Sequence, residues 1–173
     1  MVEELINPLM YEIGQLWQLN KISVAKEHLS TSLIDEAINE LIKNRCIPNE
    51  NKLVAITSTV GNELHNLGIK IVGKFLESCG YDVKNLSSKI SNRDIINSIY
   101  DIKPQLVILS ITLPANVATL QEIVKELKSD YNLFSGTIIV GGQGLFGTHK
   151  EVNIKNADFH CKSLEALKEF LQK

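Results

Sequence analysis

The stretch Leu106-Val107-Ile108-Leu109-Ser110-Ile111-Thr112 is apolar at nearly every position. A strand with one wet face alternates apolar and polar residues; one that is apolar on both sides must be covered on both sides, which is the habit of parallel sheets. Four more strand-sized segments accompany it: Leu53 to Thr57, Tyr81 to Leu86, Thr137 to Val140 and the weaker Ala157 to Cys161. Helical periodicity fills the gaps, from a loop after the first strand to about Cys79, then Asn92 to Ile102, Pro114 to Ser129 and Leu164 to Gln172. Gly80 is placed to end the first of these as the C′ glycine. Strand and helix alternate about five times, which predicts an α/β fold with an open, doubly wound, five-stranded parallel sheet of flavodoxin-like order.

The N-terminal part reads differently. Leu5, Ile6, Leu9, Met10, Ile13, Leu16 and Trp17 follow the three-four spacing of an amphipathic helix from Glu3 to about Leu19. Ser23 is a suitable N-cap for a second helix whose stripe is Leu29, Leu33, Ile34, Ala37, Ile38, Leu41 and Ile42. So short a turn predicts an antiparallel hairpin. Asn44 to Lys52, with Pro48, is the linker, and the expected domains are 1–47 and 52–173.

Composition narrows the function classes. The chain has 173 residues, is 44% hydrophobic and 22% charged, and carries a net charge of −2. That is too apolar for disorder and lacks the basic stripe of a nucleic-acid binder. The apolar runs are too short to span a membrane, and the N-terminus does not read as a signal peptide. Cys46, Cys79 and Cys161 are odd in number, far apart and without a CxxC, so they read as reduced thiols of a cytoplasmic protein.

Three features fall at the carboxyl ends of the first, third and fourth strands, where open α/β sheets bind ligands. The first is the loop Gly61-Asn62-Glu63-Leu64-His65-Asn66-Leu67-Gly68. In it the His65 imidazole could ligate a metal, Glu63 could hold its other ring nitrogen, and Gly68 could let something large approach the backbone. The second is Ser110 with Thr112, the third the pair Gly141-Gly142. In flavodoxin-like order these strands are neighbours, so the three would line one crevice. Each feature by itself also fits an ordinary loop, a backbone-bonding hydroxyl or a turn. Gly142-Gln143-Gly144-Leu145-Phe146-Gly147 matches GxGxxG, but it follows the fourth strand rather than opening the first βα unit, which argues against a dinucleotide site.

Glu63-x-His65-x-x-Gly68, 41 residues, Ser110-x-Thr112, 28 residues and then Gly141-Gly142 resembles the DxHxxG, SxL and GG fingerprint of the cobalamin-binding family of corrinoid proteins and their sensor relatives. Glu63 replaces the family's Asp and Thr112 its Leu; ExH resembles the light-sensing regulators. Trp17, nine residues and Glu27-His28 is similar to the W-x9-EH signature of the adenosylcobalamin-binding sensors. The three would gather at the turn end of the hairpin, as a cap over an upper axial ligand. The family carries four helices before its sheet, so the apolar stripes of two would be covered by further helices or by another chain.

The resemblance implies a cobalamin-binding sensory or regulatory module rather than an enzyme. His65 would be the lower cobalt ligand, oriented by Glu63. Ser110, Thr112, Gly141 and Gly142 would surround the displaced nucleotide tail, with Trp17, Glu27 and His28 above. Adenosylcobalamin is the favoured form and methylcobalamin the alternative. The expected output is a change of partner or of homo-oligomeric state, with no direct contact to nucleic acid or membrane. The runner-up is a corrinoid methyl carrier serving a methyltransferase, and a third possibility is a cofactor-free flavodoxin-like interaction domain.

Overall fold

The computed structural model describes residues 2–43, 53–61, 63, 66–86, 90–147 and 152–172; of residues 2–7, 39 and 41–43 it describes the backbone only. The chain divides into two compact units, Met1–Cys46 and Ile47–Lys173. The expected linker and His65 itself lie outside the described residues. No described helix is long and apolar enough to cross a membrane.

The first unit is a hairpin of α1 (Val2–Gln18) and α2 (Val24–Lys43). Asn20 makes the turn in the left-handed region, φ 54°. Ser23 caps α2, its hydroxyl oxygen accepting the Lys26 N–H at 3.3 Å. Each apolar stripe is wider than one neighbour can cover. Ile13, Ile34 and Ile38 are buried, while Leu9, Trp17, Leu29 and Leu33 are exposed.

The second unit is a five-stranded parallel sheet in the order β2-β1-β3-β4-β5, made of β1 (Val54–Thr59), β2 (Asp82–Asn85), β3 (Leu106–Ser110), β4 (Thr137–Gly141) and β5 (Phe159–Cys161). Helices α4 (Asn92–Ile102) and α5 (Val117–Leu127) cover the face bearing Ile56, Val107, Leu109 and Ile138. Helices α3 (Leu67–Ser78) and α7 (Leu164–Leu171) cover the other, with Ala55, Ile108 and Ile139. Residues of β3 thus alternate between two dry layers, which is why that stretch is apolar throughout. Local signals set the helix ends. Ser91 and Ser163 cap α4 and α7, and after α3 the bonds Tyr81 N–H to Leu76 O and Gly80 N–H to Glu77 O close a Schellman motif around Gly80, φ 92°.

Several boundaries differ from the sequence reading, four of them for a clear tertiary reason. β1 continues two residues past Thr57 because Ser58 and Thr59 stay paired with Leu109 and Ser110 of β3. β3 stops at Ser110 instead of Thr112: the Ile111 N–H still bonds Gly141 O at 3.1 Å, but the Thr112 and Leu113 N–H groups turn to a side chain described below. Pro114–Asn116 forms a 3-10 turn ahead of α5 instead of its first turn. The glycine-rich GxGxxG stretch contains a short helix, α6 (Gln143–Phe146), tied to the end of β3 by the Gly144 N–H to Ile111 O bond of 2.9 Å.

Candidate functional site

The carboxyl ends of β1, β3 and β4 are adjacent, as their pairing requires. The β1 end crosses to β3 through the Val60 N–H to Ser110 O bond, 3.0 Å. Gly61 follows at φ 79°; a Cβ there would overlap the Asn116 side chain, and its N–H donates to Asn92 Oδ1 at 3.3 Å. The turns after β1 and β3 and the start of α4 therefore converge on one glycine.

Glu63 is the centre of this arrangement. It is 1% exposed, and the chain folds around its carboxylate. Thr112 donates its N–H to both oxygens, 2.8 Å to Oε1 and 2.7 Å to Oε2. Leu113 N–H and Asn116 Nδ2 donate to Oε1 at 2.9 and 2.7 Å. A buried anion without partners costs several kcal/mol, and charge-assisted bonds from fixed donors offset that cost. These donors are the groups that end β3 at Ser110. Two of the described donors are backbone N–H groups, so the β1–α3 and β3–α5 turns form one unit. Among the described residues, Oε1 takes three contacts and Oε2 shares one, which leaves Oε2 with acceptor capacity toward them.

The other expected residues separate by role. Gly68 is the second residue of α3, and a Cβ added to it would meet nothing within 4 Å. The chain's own packing does not require glycine there, and the space beside its Cα is open. Ser110 stands half-buried at the end of β3. Gly141 and Gly142, by contrast, are glycines for reasons internal to the chain. A Cβ on Gly141 would lie 2.9 Å from the Cys161 carbonyl oxygen; one on Gly142, φ 98°, would overlap the Ile111 carbonyl oxygen and lie 2.7 Å from Ser110 Oγ. Gly141 lets the β4 end pass close to β5, and Gly142 lets it pass close to the β3 end.

In the hairpin, Trp17 is 46% exposed and so is not a core residue. Glu27 lies in the first turn of α2, where Oε1 accepts the Thr31 hydroxyl at 3.1 Å and Oε2 lies 3.4 Å from His28 Nε2. Connectivity puts all three near the turn end of the hairpin. A further imidazole, His160, is accounted for structurally, its Nε2 accepting the Ile154 N–H at 2.8 Å.

Asn92 and Asn116 escaped the sequence reading. Nothing local distinguishes Asn116 from any polar residue ahead of a helix. Its partner is 53 residues away, and only the β1–β3 register brings them together.

Comparison with known proteins gives the chain its family. A family model described as a B12 binding domain matches residues 53–162, and a second of the same description matches residues 1–42. Dimethylamine corrinoid protein 3 of Methanosarcina acetivorans is 20% identical over 142 residues, covering 82% of this chain and 67% of that protein. The HTH-type transcriptional repressor CarH of Myxococcus xanthus is 20% identical over 126 residues, 73% of this chain and 42% of the repressor. The solved monomethylamine corrinoid protein of Methanosarcina barkeri shares the fold with a TM-score of 0.73 at 17% identity, covering 94% of this chain and 77% of that one. The open space beside Gly68 and the half-buried Ser110 at the crevice edge fit a large group seated on the carboxyl ends of the strands. With one model matching nearly the whole sheet unit and the other the hairpin, the chain belongs to the B12-binding domain family.

Proposed function

We propose that this cobalamin-binding chain is a sensory module of the cytoplasm that holds adenosylcobalamin with His65 as the lower cobalt ligand. The observation that carries the reading is the buried Glu63, two residues before His65, whose carboxylate is fixed by Thr112, Leu113 and Asn116 and keeps acceptor capacity on Oε2. A carboxylate so held can accept one imidazole N–H and leave the other nitrogen free to ligate, as second-sphere carboxylates do for metal-binding histidines. Bound cobalamin supplies a cobalt–carbon bond that light or a nucleophile can open. The chain's residues do the rest. His65 binds, Glu63 orients it, and Ser110, Thr112, Gly141 and Gly142 border the nucleotide tail. Gly68 leaves room beside the first turn of α3. Exposed Trp17, Leu29 and Leu33 support a role for the hairpin as the surface through which the module pairs with a second copy or a regulator.

Apoprotein mixed with adenosylcobalamin in the dark and desalted should stay red, with the spectrum of a histidine-ligated, base-displaced cobalamin. A colourless eluate refutes the reading. The similarity to a dimethylamine corrinoid protein favours a second reading, a methyl carrier for a methyltransferase with methylcobalamin as its loaded form. Size-exclusion chromatography before and after green light separates the two, because only the sensor changes assembly.

A further inference from the structure

Among the described residues of the sheet unit, the exposed large hydrophobic side chains are Leu53, Ile102, Leu113, Tyr131 and Leu133. In a parallel sheet every strand-to-helix turn lies at the carboxyl edge and every helix-to-strand turn at the amino edge. Leu53 precedes β1, Ile102 ends α4, and Tyr131 and Leu133 lie between α5 and β4, so these four belong to the amino edge. Leu113, 48% exposed, is at the carboxyl edge, and Pro114 and Ala115 beside it are exposed too.

Leu113 is also held there. Its N–H is bonded to Glu63 Oε1, its carbonyl accepts the Asn116 N–H at 3.0 Å, and its backbone is extended, φ −96° and ψ 125°, before the fixed ring of Pro114. A leucine on a loose loop can fold back onto the surface. This one is fixed at both backbone groups and must present its side chain outward. The Glu63 carboxylate therefore also sets the height of an apolar ledge at the carboxyl edge.

Resting on the cofactor reading above, we infer that Leu113, with Pro114 and Ala115, is the seat for the apolar flank of the corrin macrocycle, a contact that contributes affinity without ligating the cobalt. The faces of a corrin are conjugated and apolar inside a rim of amide side chains, so a rigid aliphatic ledge suits them and a hydroxyl does not. The seat acts on the ring and not on the nucleotide tail.

The test is a dark visible-absorbance titration of apoprotein with adenosylcobalamin and with adenosylcobinamide, which keeps the ring and lacks the tail. Leu113→Ser should weaken both about tenfold, the value expected for half of a leucine side chain taken out of water. The spectrum of the saturated adenosylcobalamin complex and the melting temperature of the apoprotein should not change. Leu133→Ser, at the amino edge, should leave both affinities unchanged. If Leu113→Ser folds poorly, Leu113→Ala is read in the same way. Wild-type protein that binds while the Leu113 variants bind equally well overturns the seat, as does an equal loss in Leu133→Ser. Wild-type protein that binds neither compound overturns the cofactor reading itself.

Discussion

Glu63 and His65 are two residues apart, yet they have different physical duties. In the reading proposed above His65 ligates the cobalt, while Glu63 orients it and ties two turns of the sheet unit together through Thr112, Leu113 and Asn116. His65→Ala should therefore abolish the histidine-ligated spectrum of the holoprotein and leave the apoprotein's circular dichroism and melting temperature unchanged. An unaltered spectrum in the variant refutes the ligand assignment. Glu63→Gln tests the other duty. The amide keeps one oxygen but turns an NH2 toward the Thr112 N–H, and it weakens the remaining charge-assisted bonds. The apoprotein should lose about 1–3 kcal/mol of stability in urea denaturation, the range for a buried hydrogen-bonding group left with a wrong partner. Gly68 has the opposite signature. An added side chain meets nothing in the apoprotein and replaces glycine in a helix, so Gly68→Leu should leave the melting temperature equal or higher. The same variant should bind cobalamin far more weakly, as measured by absorbance titration, because the side chain fills the open approach.

At the level of elements, the β4 end and α6 depend on glycine geometry rather than on side-chain packing. Gly142→Ala forces a left-handed φ on a residue that resists it and drives a Cβ into the Ile111 carbonyl. The backbone contribution alone is about 1–3 kcal/mol. The apoprotein's thermal midpoint should fall in calorimetry, with or without cofactor. A loss of cofactor affinity at full apoprotein stability would instead mean that Gly142 serves the ligand. β3 makes the complementary point. Its sequence remains strand-like to Thr112, but the N–H groups of Thr112 and Leu113 find a carboxylate, and a charge-assisted bond wins over continuation of the ladder.

At the scale of the whole molecule, we expect the hairpin to govern assembly. Leu29 and Leu33, 61% and 56% exposed, lie one helical turn apart on α2, with Leu9 and Trp17 exposed on α1. Two such faces can bury one another as a two-fold bundle. Sedimentation at low micromolar concentration should show a dimer, and the pair Leu29→Glu with Leu33→Glu should return it to monomer; a wild-type monomer refutes the pairing. The alternation of strand and helix, the strand order, the hairpin, the helix ends at Gly80, Ser23 and Asn92, and the family spacing from Glu63 to Gly142 were all legible in the sequence. They depend on repeat period, capping and topology, which act over a few residues or follow from chain order. The bonding of Glu63 to Thr112, Leu113 and Asn116, the shortened β3, the α6 turn, the reasons for Gly141 and Gly142, and the exposure of Leu113 at the carboxyl edge were decided by the tertiary structure. Each depends on the register between strands about 20 to 50 residues apart in sequence, which brings a particular carboxylate or carbonyl against a particular backbone group.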